Sequence, residues 1–436
     1  MPGRPVGRLT SLDRLESLAP RGMKLGLAAI DALCERLGRP EREFLPVLVA
    51  GTNGKGSAAA TLSAIATASG LRAGLYTSPH LHRVGERIRV AESDLSDEEL
   101  DSALERAFRA ADAAPEIPGT YFEILTAAAF LAFSESTLDL AVLEVGLGGR
   151  FDATNIAPAS LSIVTSIGLD HVEELGPTVA SIAREKAGVF RRGRPALVGW
   201  VDGEAGSALA AAAGETGAHL HEAARELAIS SAETSIDGTR FTLETPEGPY
   251  ALATPLPGAH QAENAALAVR AAEILGVELP RLRRDAFAAG VRATRWPGRL
   301  EKLGARGRTI LLDGCHNAAG AAALARFLRD AGLADHARLV FGAMADKDVE
   351  AIAAVLFPAA ASVRLVPAPS PRAATAAELA RRTSGVRPHG LPRESVEGAL
   401  RELLAEPDPT PIIVAGSLYL VGEARSLILS GRLENE

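Results

Sequence analysis

Cysteine is scarce in this sequence, because its 436 residues include only Cys34 and Cys315, which lie far apart. Two such cysteines form neither a disulfide framework nor the spacing of a metal site, as expected in the reducing cytoplasm. The opening segment "MPGRPVGRLT" lacks the apolar core of a signal peptide, and no later apolar run is long enough to span a bilayer. We therefore predict a cytoplasmic, globular protein that does not insert into a membrane.

Positively charged residues are also fewer than negatively charged residues. The sequence contains 46 Lys and Arg residues against 54 Asp and Glu residues, which gives a formal net charge of -8. Nucleic-acid binding normally needs an excess of Lys and Arg that neutralises phosphates, so we expect no nucleic-acid partner. An anionic small molecule would have to be held by local cations. No G-x-G-x-x-G motif follows the first strand, which argues against a dehydrogenase.

The hydrophobic content of 47% over this length allows two or three domains with their own cores. Alanine-rich helical segments separate apolar runs of strand length, which are "PVLVA", "AGLY", "LDLAVLEV", "LSIVTSI" and "PALVGW", then "RTILLDG", "ARLVFGA", "SVRLVPA" and "TPIIVAGS". This alternation predicts parallel sheets covered on both faces. We predict an α/β protein with an N-terminal doubly wound domain, residues 1–295, and a smaller C-terminal Rossmann-like α/β domain, residues 296–436. Between the two series, "TRFTLETPEGPYAL" is predicted to form a hairpin.

The segment "GTNGKGS" at positions 51–57 follows an apolar strand and leads into the helical "AAATLSAIATASG". It departs from the usual G-x-x-x-x-G-K-[ST] phosphate loop because Gly56 separates Lys55 from Ser57. The arrangement still gathers backbone N–H groups, a helix N-terminus, a cation and a hydroxyl, which suits the phosphates of ATP. A glycine-rich turn without a ligand is the alternative, and Lys55 and Ser57 together favour phosphate binding over it.

Two further strand ends carry polar residues. Glu144 ends the apolar run "LAVLE" and is followed by "GLGG", whose glycines permit a ligand to approach the backbone closely. Asp170 and His171 follow a third strand in "SIGLDHVEELG". Ligands of doubly wound sheets bind at the carboxyl ends of the strands, so Glu144 is predicted to coordinate Mg2+ and His171 is a candidate ligand. The alternatives are a Glu144 that is solvated at the strand exit and a His171 without a ligand role.

These segments, in this order, resemble the Mur-ligase superfamily and, within it, the folylpolyglutamate synthase and dihydrofolate synthase family. The resemblance runs through nearly the whole chain, in the segments "KLGLAAIDALCERLGRP", "GTNGKGS", "TSPHLHRVGERIRV", "YFEILTAAAF", "EVGLGGRFDATN", "SIGLDHVEELGPTVASIAREKAGVF", "PGAHQAENAALAV", "WPGRLE", "DGCHN", "DKD" and "AGSLYLVGEAR". The shortened phosphate loop is of the form that this superfamily uses, which implies that the N-terminal domain is a doubly wound P-loop ATPase-type domain. Cys315 in "DGCHN" is one departure, because the family usually has a small residue such as Ala there.

The resemblance implies an ATP-dependent acid–amino-acid ligase that adds L-glutamate to tetrahydrofolate, to dihydropteroate, or to both. A carboxylate and an ammonium do not condense in water, so ATP first converts the carboxylate into an acyl phosphate, which the glutamate amine then attacks. ATP is the co-substrate and Mg2+ is the implied cofactor. The implied partners are these small-molecule substrates, and a monomer is expected.

The family pattern also implies roles for individual residues. The catalytic set is Lys55, His171 and Lys186. The ATP-binding set, which would share the nucleotide between the two domains, is Thr52, Asn53, Gly54, Lys55, Gly56, Ser57, Asn264, Arg299, Asp313 and His316. The metal ligands are Ser57, Ser78, Glu144, His171 and, as a carbamate, Lys186. The folate-binding set is Lys24, Leu25, Gly26, Thr120, Tyr121, Phe122, Glu123, Phe151, Asp152 and Ala153. In that set, Phe122 would stack on the pterin and Asp152 would bond to its polar edge.

Structural alternatives exist for several of these residues. Asn264 could cap a helix, Arg299 could be a surface cation of the linker, and Asp313 could simply end a strand. Phe122 could belong to the core. For Lys186 the alternative is an exposed helical lysine paired with an acid such as Glu174 or Glu185.

Three arginines of "HRVGERIRV" have two explanations, since they suit either an anionic substrate or ion pairs with the acidic surface. They are Arg83, Arg87 and Arg89.

Two other functions compete with the folate ligase. A Mur-type amino-acid ligase of cell-wall synthesis uses the same acyl-phosphate chemistry. However, only fifty residues precede Gly51, which are few for its nucleotide-sugar domain, and "TSPHL" matches the folate branch better. A non-catalytic nucleotide-binding switch would need the phosphate loop, but neither Glu144 nor "DATN". Monofunctional and bifunctional folate enzymes both fit the pattern, as do different folate forms and glutamate chain lengths.

Overall fold

The computed structural model describes residues 10–19 and 26–434, and the chain forms two compact units. The first unit contains the described residues of Met1–Ala228 together with Thr245–Glu247 and Asn264–Val291. The second contains Ile229–Glu244, Gly248–Glu263 and the described residues of Arg292–Glu436. Segments between residues 229 and 291 therefore belong alternately to the two units.

The first unit is built on an eight-stranded sheet with the order β4-β3-β2-β5-β1-β6-β7-β8. Its strands are β1 Leu45–Ala50, β2 Ala73–Tyr76, β3 Ile88–Val90, β4 Ser93–Asp94, β5 Leu140–Glu144, β6 Leu161–Val164, β7 Pro195–Val198 and β8 His219–Glu222. The six neighbouring strands β2, β5, β1, β6, β7 and β8 pair in parallel, and β3 and β4 add antiparallel pairs at one edge. The central strand β5 is buried throughout, which explains its continuous apolar run.

In the described part of the chain, eleven helices precede the six-stranded sheet of the second unit in sequence. They are α1 Ser11–Glu16, α2 Ala28–Arg36, α3 Lys55–Ala68, α4 Asp97–Asp112, α5 Tyr121–Glu135, α6 Val172–Leu175, α7 Val179–Lys186, α8 Gly203–Thr216, α9 Ala223–Glu226, α10 Ala259–Leu275 and α11 Arg284–Ala293. Single 3-10 turns cover Pro40–Arg42, Val84–Arg87, Ala153–Ile156 and Ala187–Val189.

Helix α3 is rich in alanine, and residues 56–66 of this helix are all buried. Gly290 of α11 lies directly against this helix, where an added Cβ would come within 2.4 Å of the Ile65 Cα. Small side chains allow two helix backbones to approach this closely. The helix that follows the phosphate loop is therefore held firmly in the core of the first unit.

A three-stranded sheet lies between the two larger sheets in sequence and has the order β11-β10-β9. Its strands are β9 Ala228–Ser235, β10 Gly238–Thr245 and β11 Gly248–Thr254. Only Pro246 and Glu247 separate β10 from β11, so the predicted hairpin is present, and β9 is a third strand that the hairpin prediction did not include.

The second unit contains a six-stranded sheet with the order β12-β13-β17-β14-β15-β16. Its strands are β12 Glu301–Ala305, β13 Arg308–Asp313, β14 Arg338–Phe341, β15 Ser362–Leu365, β16 Gly390–Pro392 and β17 Ile412–Ala415. Its helices are α12 Ala318–Asp330, α13 Val349–Leu356, α14 Ala376–Arg382, α15 Val396–Ala405 and α16 Leu418–Leu429, with a 3-10 turn at Phe357–Ala359. Only β12 pairs antiparallel, so a second, mostly parallel α/β sheet is present as predicted.

The predicted division at residues 295 and 296 lies close to Arg292, from which the second unit is continuous. Residues 229–244 and 248–263 also group with that unit, whereas the prediction placed them in the N-terminal domain. This grouping depends on contacts between residues distant in sequence, which the alternation of apolar runs does not reveal. The division into residues 1–295 and 296–436 stays a prediction.

None of the described helices combines the length and the apolar character that are needed to cross a bilayer.

Candidate active site

The segment at positions 51–57 has the strand–loop–helix context predicted for it. Strand β1 ends at Ala50, and helix α3 begins at Lys55 after Gly54, whose backbone is left-handed with a φ of 85°. The N–H of Thr52 donates to the Ser166 carbonyl at 2.8 Å, and the N–H of Asn53 donates to the Ser166 hydroxyl at 3.0 Å. The loop is therefore attached to the residues that follow the neighbouring strand β6.

Two hydroxyl side chains after β6 complete this attachment. The hydroxyls of Thr165 and Ser166 both donate to the Asn53 carbonyl, at 2.7 and 3.0 Å. Gly51 has a φ of 146°, and a Cβ there would lie 2.0 Å from the Thr165 hydroxyl oxygen, so only glycine fits beside this threonine. Sequence reasoning missed both hydroxyl residues. The signal was the polar pair "TS" at the end of an apolar parallel strand, the same signal that singled out Glu144.

Two lysines bond to the same carbonyl oxygen of the loop. The Lys55 ammonium donates to Gly51 O at 3.0 Å and to Thr52 O at 3.2 Å. The Lys186 side chain, which is only 5% exposed, donates to Gly51 O at 2.9 Å. Burial first, and the nearby Lys55 charge second, lower the pKa of Lys186 to about 7. The loop therefore brings together two amino groups, of which one is largely removed from water.

The environment of Lys186 contradicts the alternative of an exposed, paired lysine. Within residues 10–19 and 26–434, no carboxylate lies at ion-pair distance from its amino group. Glu185 instead lies 3.6 Å from Arg150, and Glu174 lies 3.9 Å from the ring of His171. Lys186 ends helix α7 with its side chain in the protein interior, so its position is not explained by a surface salt bridge.

Glu144 lies beside the phosphate loop because of strand register. It pairs with Val49 in the parallel β5–β1 ladder and is 5% exposed, so the alternative of a solvated glutamate is wrong. Its carboxylate accepts a hydrogen bond from the backbone N–H of Ser78 at 3.1 Å. The structure therefore brings together two of the predicted metal ligands, Glu144 and Ser78. Ser57, a third, is buried in the first turns of α3.

His171 lies in a loop that is attached to the phosphate loop. The Thr52 hydroxyl donates to the Gly168 carbonyl at 3.2 Å and accepts from the Gly168 N–H at 3.0 Å. His171 has a left-handed backbone with a φ of 51° immediately before α6, and its side chain is 42% exposed. Its ring nitrogens lie 3.8 Å from Asp170 and 3.9 Å from Glu174. The histidine is therefore accessible to a ligand.

Asn264 packs against the left-handed glycine of the phosphate loop. A Cβ on Gly54 would lie 2.3 Å from the side-chain oxygen of Asn264. Asn264 is buried and lies inside α10, five residues after its first residue, so the helix-cap alternative is wrong. The remaining loop residue of the ATP set, Gly56, is buried in α3.

The residues predicted to bind folate have mixed environments. Lys24 and Leu25 lie outside the described residues, and Gly26 has a φ of 142°. Thr120 and Glu123 form a capping box at the start of α5, in which the Glu123 carboxylate accepts from the Thr120 N–H at 2.9 Å. The Thr120 hydroxyl in turn accepts from the Glu123 N–H at 3.3 Å, so the capping box accounts for both side chains without a ligand.

The aromatic residues of the same segments are partly accessible. Phe122 is half-buried, with its ring centroid 6.0 Å from that of Tyr76 and its edge against Gly146. Phe151 is exposed, and the adjacent Ala153 is buried. Phe122 therefore lies at the edge of the core rather than inside it.

The predicted nucleotide contacts of the second unit cluster at the end of β13. The Asp313 carboxylate accepts from the N–H groups of Leu300 at 3.1 Å and of Cys315 at 3.0 Å. One ring nitrogen of His316 lies 2.9 Å from the Gly314 carbonyl. Arg299 is half-buried close to Gly314, so it is not simply a surface cation, whereas Asp313 does end its strand.

Two family models match the chain. Residues 49–272 match the Mur ligase middle domain, and residues 298–418 match the Mur ligase glutamate ligase domain. The folylpolyglutamate synthase of Lacticaseibacillus casei is 35% identical over 410 residues, which cover 92% of this chain and 94% of that protein. The chain belongs to the folylpolyglutamate synthase/dihydrofolate synthase family.

Solved structures of this family share the fold. Mycobacterium tuberculosis folylpolyglutamate synthase complexed with ADP matches with a TM-score of 0.87 and 33% identity, over 96% of this chain and 98% of that chain. The bifunctional folylpolyglutamate synthase/dihydrofolate synthase from Yersinia pestis, complexed with AMPPNP and a Mn ion, matches with a TM-score of 0.85 and 32% identity, over 98% and 100% of the two chains. The predicted α/β fold class and the predicted family are confirmed.

The donor set beside the phosphate loop fits the Mg2+ that the family resemblance implies. In the described part of the chain, no three His, Cys, Asp or Glu side chains are grouped as a metal site. The residues instead offer single oxygen ligands, which are the Glu144 carboxylate and the hydroxyls of Ser57 and Ser78. Mg2+ prefers hard oxygen ligands and is commonly held by one or two carboxylates together with substrate phosphates and water. These residues therefore suit Mg2+ bound with a nucleotide.

In this family member, Asp152 holds its own loop together. Its carboxylate accepts from the N–H groups of Gly146, Leu147 and Thr154, each at 3.0 Å, and from the Thr154 hydroxyl at 2.6 Å. Burial raises the pKa of Asp152, and these four donors oppose that shift. A carboxylate has about four acceptor positions, so the loop uses all of them. The side chain is thus accounted for without the predicted bond to a pterin.

We expect Asp152→Asn to lower the free energy of unfolding by about 2 kcal/mol. The amide nitrogen cannot accept hydrogen bonds, so up to two buried N–H groups lose their acceptor, at about 1–3 kcal/mol each. Urea unfolding measures the difference. Asp97→Asn is the matched control, because Asp97 forms an exposed ion pair with Arg83, which is worth about 1 kcal/mol or less. Equal losses in the two variants would contradict this role of Asp152.

Proposed function

We propose that this chain is an ATP-dependent ligase that joins L-glutamate to a folate-class carboxylate through an acyl phosphate. The observation that supports it most is the phosphate loop, where Lys55 and the buried Lys186 meet at the Gly51 carbonyl beside the strand-end carboxylate Glu144. The relatives described above are named as folylpolyglutamate synthase or as folylpolyglutamate synthase/dihydrofolate synthase, and these names support the same activity.

The chemistry needs positioning and charge neutralisation more than covalent help from the protein. The N-terminus of α3 and the N–H groups of the loop would bind the phosphates, and Lys55 would exchange its bonds to Gly51 and Thr52 for the γ-phosphate. Ser57, Ser78, Glu144 and His171 would hold Mg2+, which when bound supplies charge neutralisation at the transferring phosphoryl group. The acceptor carboxylate takes the phosphoryl group from ATP, and the glutamate amine then displaces phosphate.

We further propose that Lys186 is carbamylated, as the family resemblance implies. An unprotonated amine attacks CO2, forming an N–C bond and releasing a proton, and burial of Lys186 favours the unprotonated form. The product places an anion next to the Lys55 ammonium, which repels a protonated Lys186 but attracts the carbamate. The carbamate also offers the oxygen ligands that Mg2+ prefers.

The other assignments stay predictions. They are nucleotide binding by Thr52, Asn53, Gly54, Gly56, Asn264, Arg299, Asp313 and His316, and folate binding by residues 24–26, 120–123 and 151–153. A cytoplasmic location, a monomeric state and the absence of a nucleic-acid partner also stay predictions.

A product assay tests the function. We expect purified protein with ATP, Mg2+ and L-glutamate to form amide product from tetrahydrofolate, from dihydropteroate, or from both, offered separately. ADP release should require the acceptor and the metal, and the amide should also require glutamate. Product from a cell-wall nucleotide precursor, with none from either pteridine, would overturn the proposal in favour of a Mur-type ligase. ATP binding without any product would favour a nucleotide switch.

A further inference from the structure

Three arginines follow one another closely in "HRVGERIRV", and the structure separates them. Arg83 pairs with Asp97 at 2.9 Å, and Arg89 pairs with Asp94 at 3.0 Å. Arg87 has no carboxylate within ion-pair distance among the residues that the structure describes. Ion pairing with acidic side chains therefore explains two of the three cations and leaves Arg87.

Arg87 is held in place by groups that do not neutralise it. Its Nε donates to the Nδ1 atom of His80 at 2.9 Å, and its guanidinium carbon lies 5.4 Å from the centre of the Tyr121 ring. The described residues provide no hydrogen-bond acceptor for its two terminal nitrogens. The side chain is half-buried, so the two terminal nitrogens of Arg87 form a planar, oriented fork of donors that is partly removed from water. Such a fork matches a carboxylate in a two-bond geometry.

The neighbouring acid is engaged elsewhere. Glu86 accepts from the backbone N–H groups of Leu81 at 2.8 Å and Arg83 at 3.1 Å, which closes the 3-10 turn. These hydrogen bonds contribute to lowering the pKa of Glu86, so it is ionised, but it is committed to the turn. The positive charge of Arg87 is therefore left for another partner, in a protein whose formal net charge is -8.

Arg87 lies between two segments of the candidate active site. Its carbonyl accepts from the N–H of Thr77 at 2.9 Å, which places it next to Ser78. On the other side, its guanidinium faces Tyr121, which immediately precedes Phe122 at the start of α5. Arg87 is therefore close to the predicted acceptor segment.

We propose that Arg87 binds the carboxylate of a folate-class acceptor that is not phosphorylated, namely the α-carboxylate of a glutamyl residue whose γ-carboxylate reacts. This inference rests on the proposed function. An arginine that pairs in two bonds with a carboxylate withdraws electron density from its oxygens and makes them poorer nucleophiles. Such a partner therefore suits the carboxylate that stays unchanged, while Lys55 serves the end at which the phosphoryl group moves.

The test compares two acceptors that share the reacting carboxylate. Tetrahydropteroyl-γ-aminobutyrate has the γ-carboxylate of tetrahydrofolate but lacks the α-carboxylate. We expect Arg87→Gln to raise the KM for tetrahydrofolate by about 10- to 100-fold, the usual worth of a charge-assisted pair. The inhibition constant of the γ-aminobutyrate analogue against tetrahydrofolate should change by less than about threefold, and the KM for ATP should not change.

Two further variants separate recognition from folding. Arg87→Lys keeps the charge without the fork, so its KM for tetrahydrofolate should lie between those of the wild type and Arg87→Gln. Arg83→Gln removes an arginine of the same segment that already has Asp97 as a partner, and it should behave as the wild type.

Equal weakening of both acceptors in Arg87→Gln would overturn the inference, because a structural role does not distinguish the α-carboxylate. An unchanged KM for tetrahydrofolate would overturn it as well. Wild-type protein that uses dihydropteroate but not tetrahydrofolate would overturn this inference alone. Wild-type protein that uses neither acceptor would overturn the proposed function, and this inference with it.

Discussion

Lys55→Ala is expected to lower kcat by at least about 10²-fold, because removing one preorganised donor from developing charge costs several kcal/mol. The structure places this ammonium at the first residue of α3, bonded to two carbonyls of the phosphate loop. It therefore already lies within the loop that would bind the phosphates. ADP release at saturating ATP, acceptor and glutamate measures the effect.

Lys302→Ala is the matched control for this variant. Lys302 is one of the few other lysines, and it forms an exposed ion pair with Asp237 at 2.7 Å. Its loss should leave kcat unchanged. A Lys55→Ala rate close to that of the wild type would show that the ATP site has been misplaced.

Lys186→Ala is expected to lose ligase activity to a similar extent. The substitution removes both the bond to Gly51 and the amine that CO2 would modify. A short carboxylic acid such as acetate should restore part of the activity, because its carboxylate can occupy the place of the carbamate. Lys186→Arg should be as inactive as Lys186→Ala before rescue, since a guanidinium keeps the positive charge and does not form the carbamate.

The pH dependence of carbamate formation adds a second measurement. The pKa of Lys186 is lowered to about 7, so the amine is protonated and unreactive below that pH and is free to attack CO2 above it. Incorporation of isotope-labelled bicarbonate into the protein should therefore rise as the pH increases through about 7, and it should be absent in Lys186→Arg. Full activity of Lys186→Ala without an added acid would contradict the carbamate proposal.

The phosphate loop could be predicted because its chemistry lies in consecutive residues. Positions 51–57 contain the strand exit, the glycines, Lys55 and Ser57 within one segment, so no knowledge of distant contacts is needed. Glu144 was also predictable, because a carboxylate at the end of a fully apolar strand lies at the ligand-binding edge of a parallel sheet. Its closeness to Ser78, by contrast, depends on β5 lying between β1 and β2.

The surroundings of the lysines and arginines could not be predicted in the same way. Lys186 and the Gly51 carbonyl that it contacts are 135 positions apart in sequence, and only the pairing of strands and helices in the first unit brings them together. Likewise, "HRVGERIRV" does not show that Arg83 and Arg89 have acidic partners while Arg87 does not. A side-chain partner depends on the direction of each side chain and on the elements packed around it.

By itself, the sequence determined the α/β class, the order of the two sheets and the position of the phosphate loop. A buried strand appears in the sequence as a continuous apolar run with polar residues at its end, so it can be recognised without knowledge of distant contacts. Three other properties were decided only by the tertiary structure. Donors of its own loop occupy the four acceptor positions of Asp152. Residues 229–244 and 248–263 group with the second unit, and Lys186 is buried. These properties are set by hydrogen-bond geometry and by contacts between distant segments, which no local pattern of residues encodes.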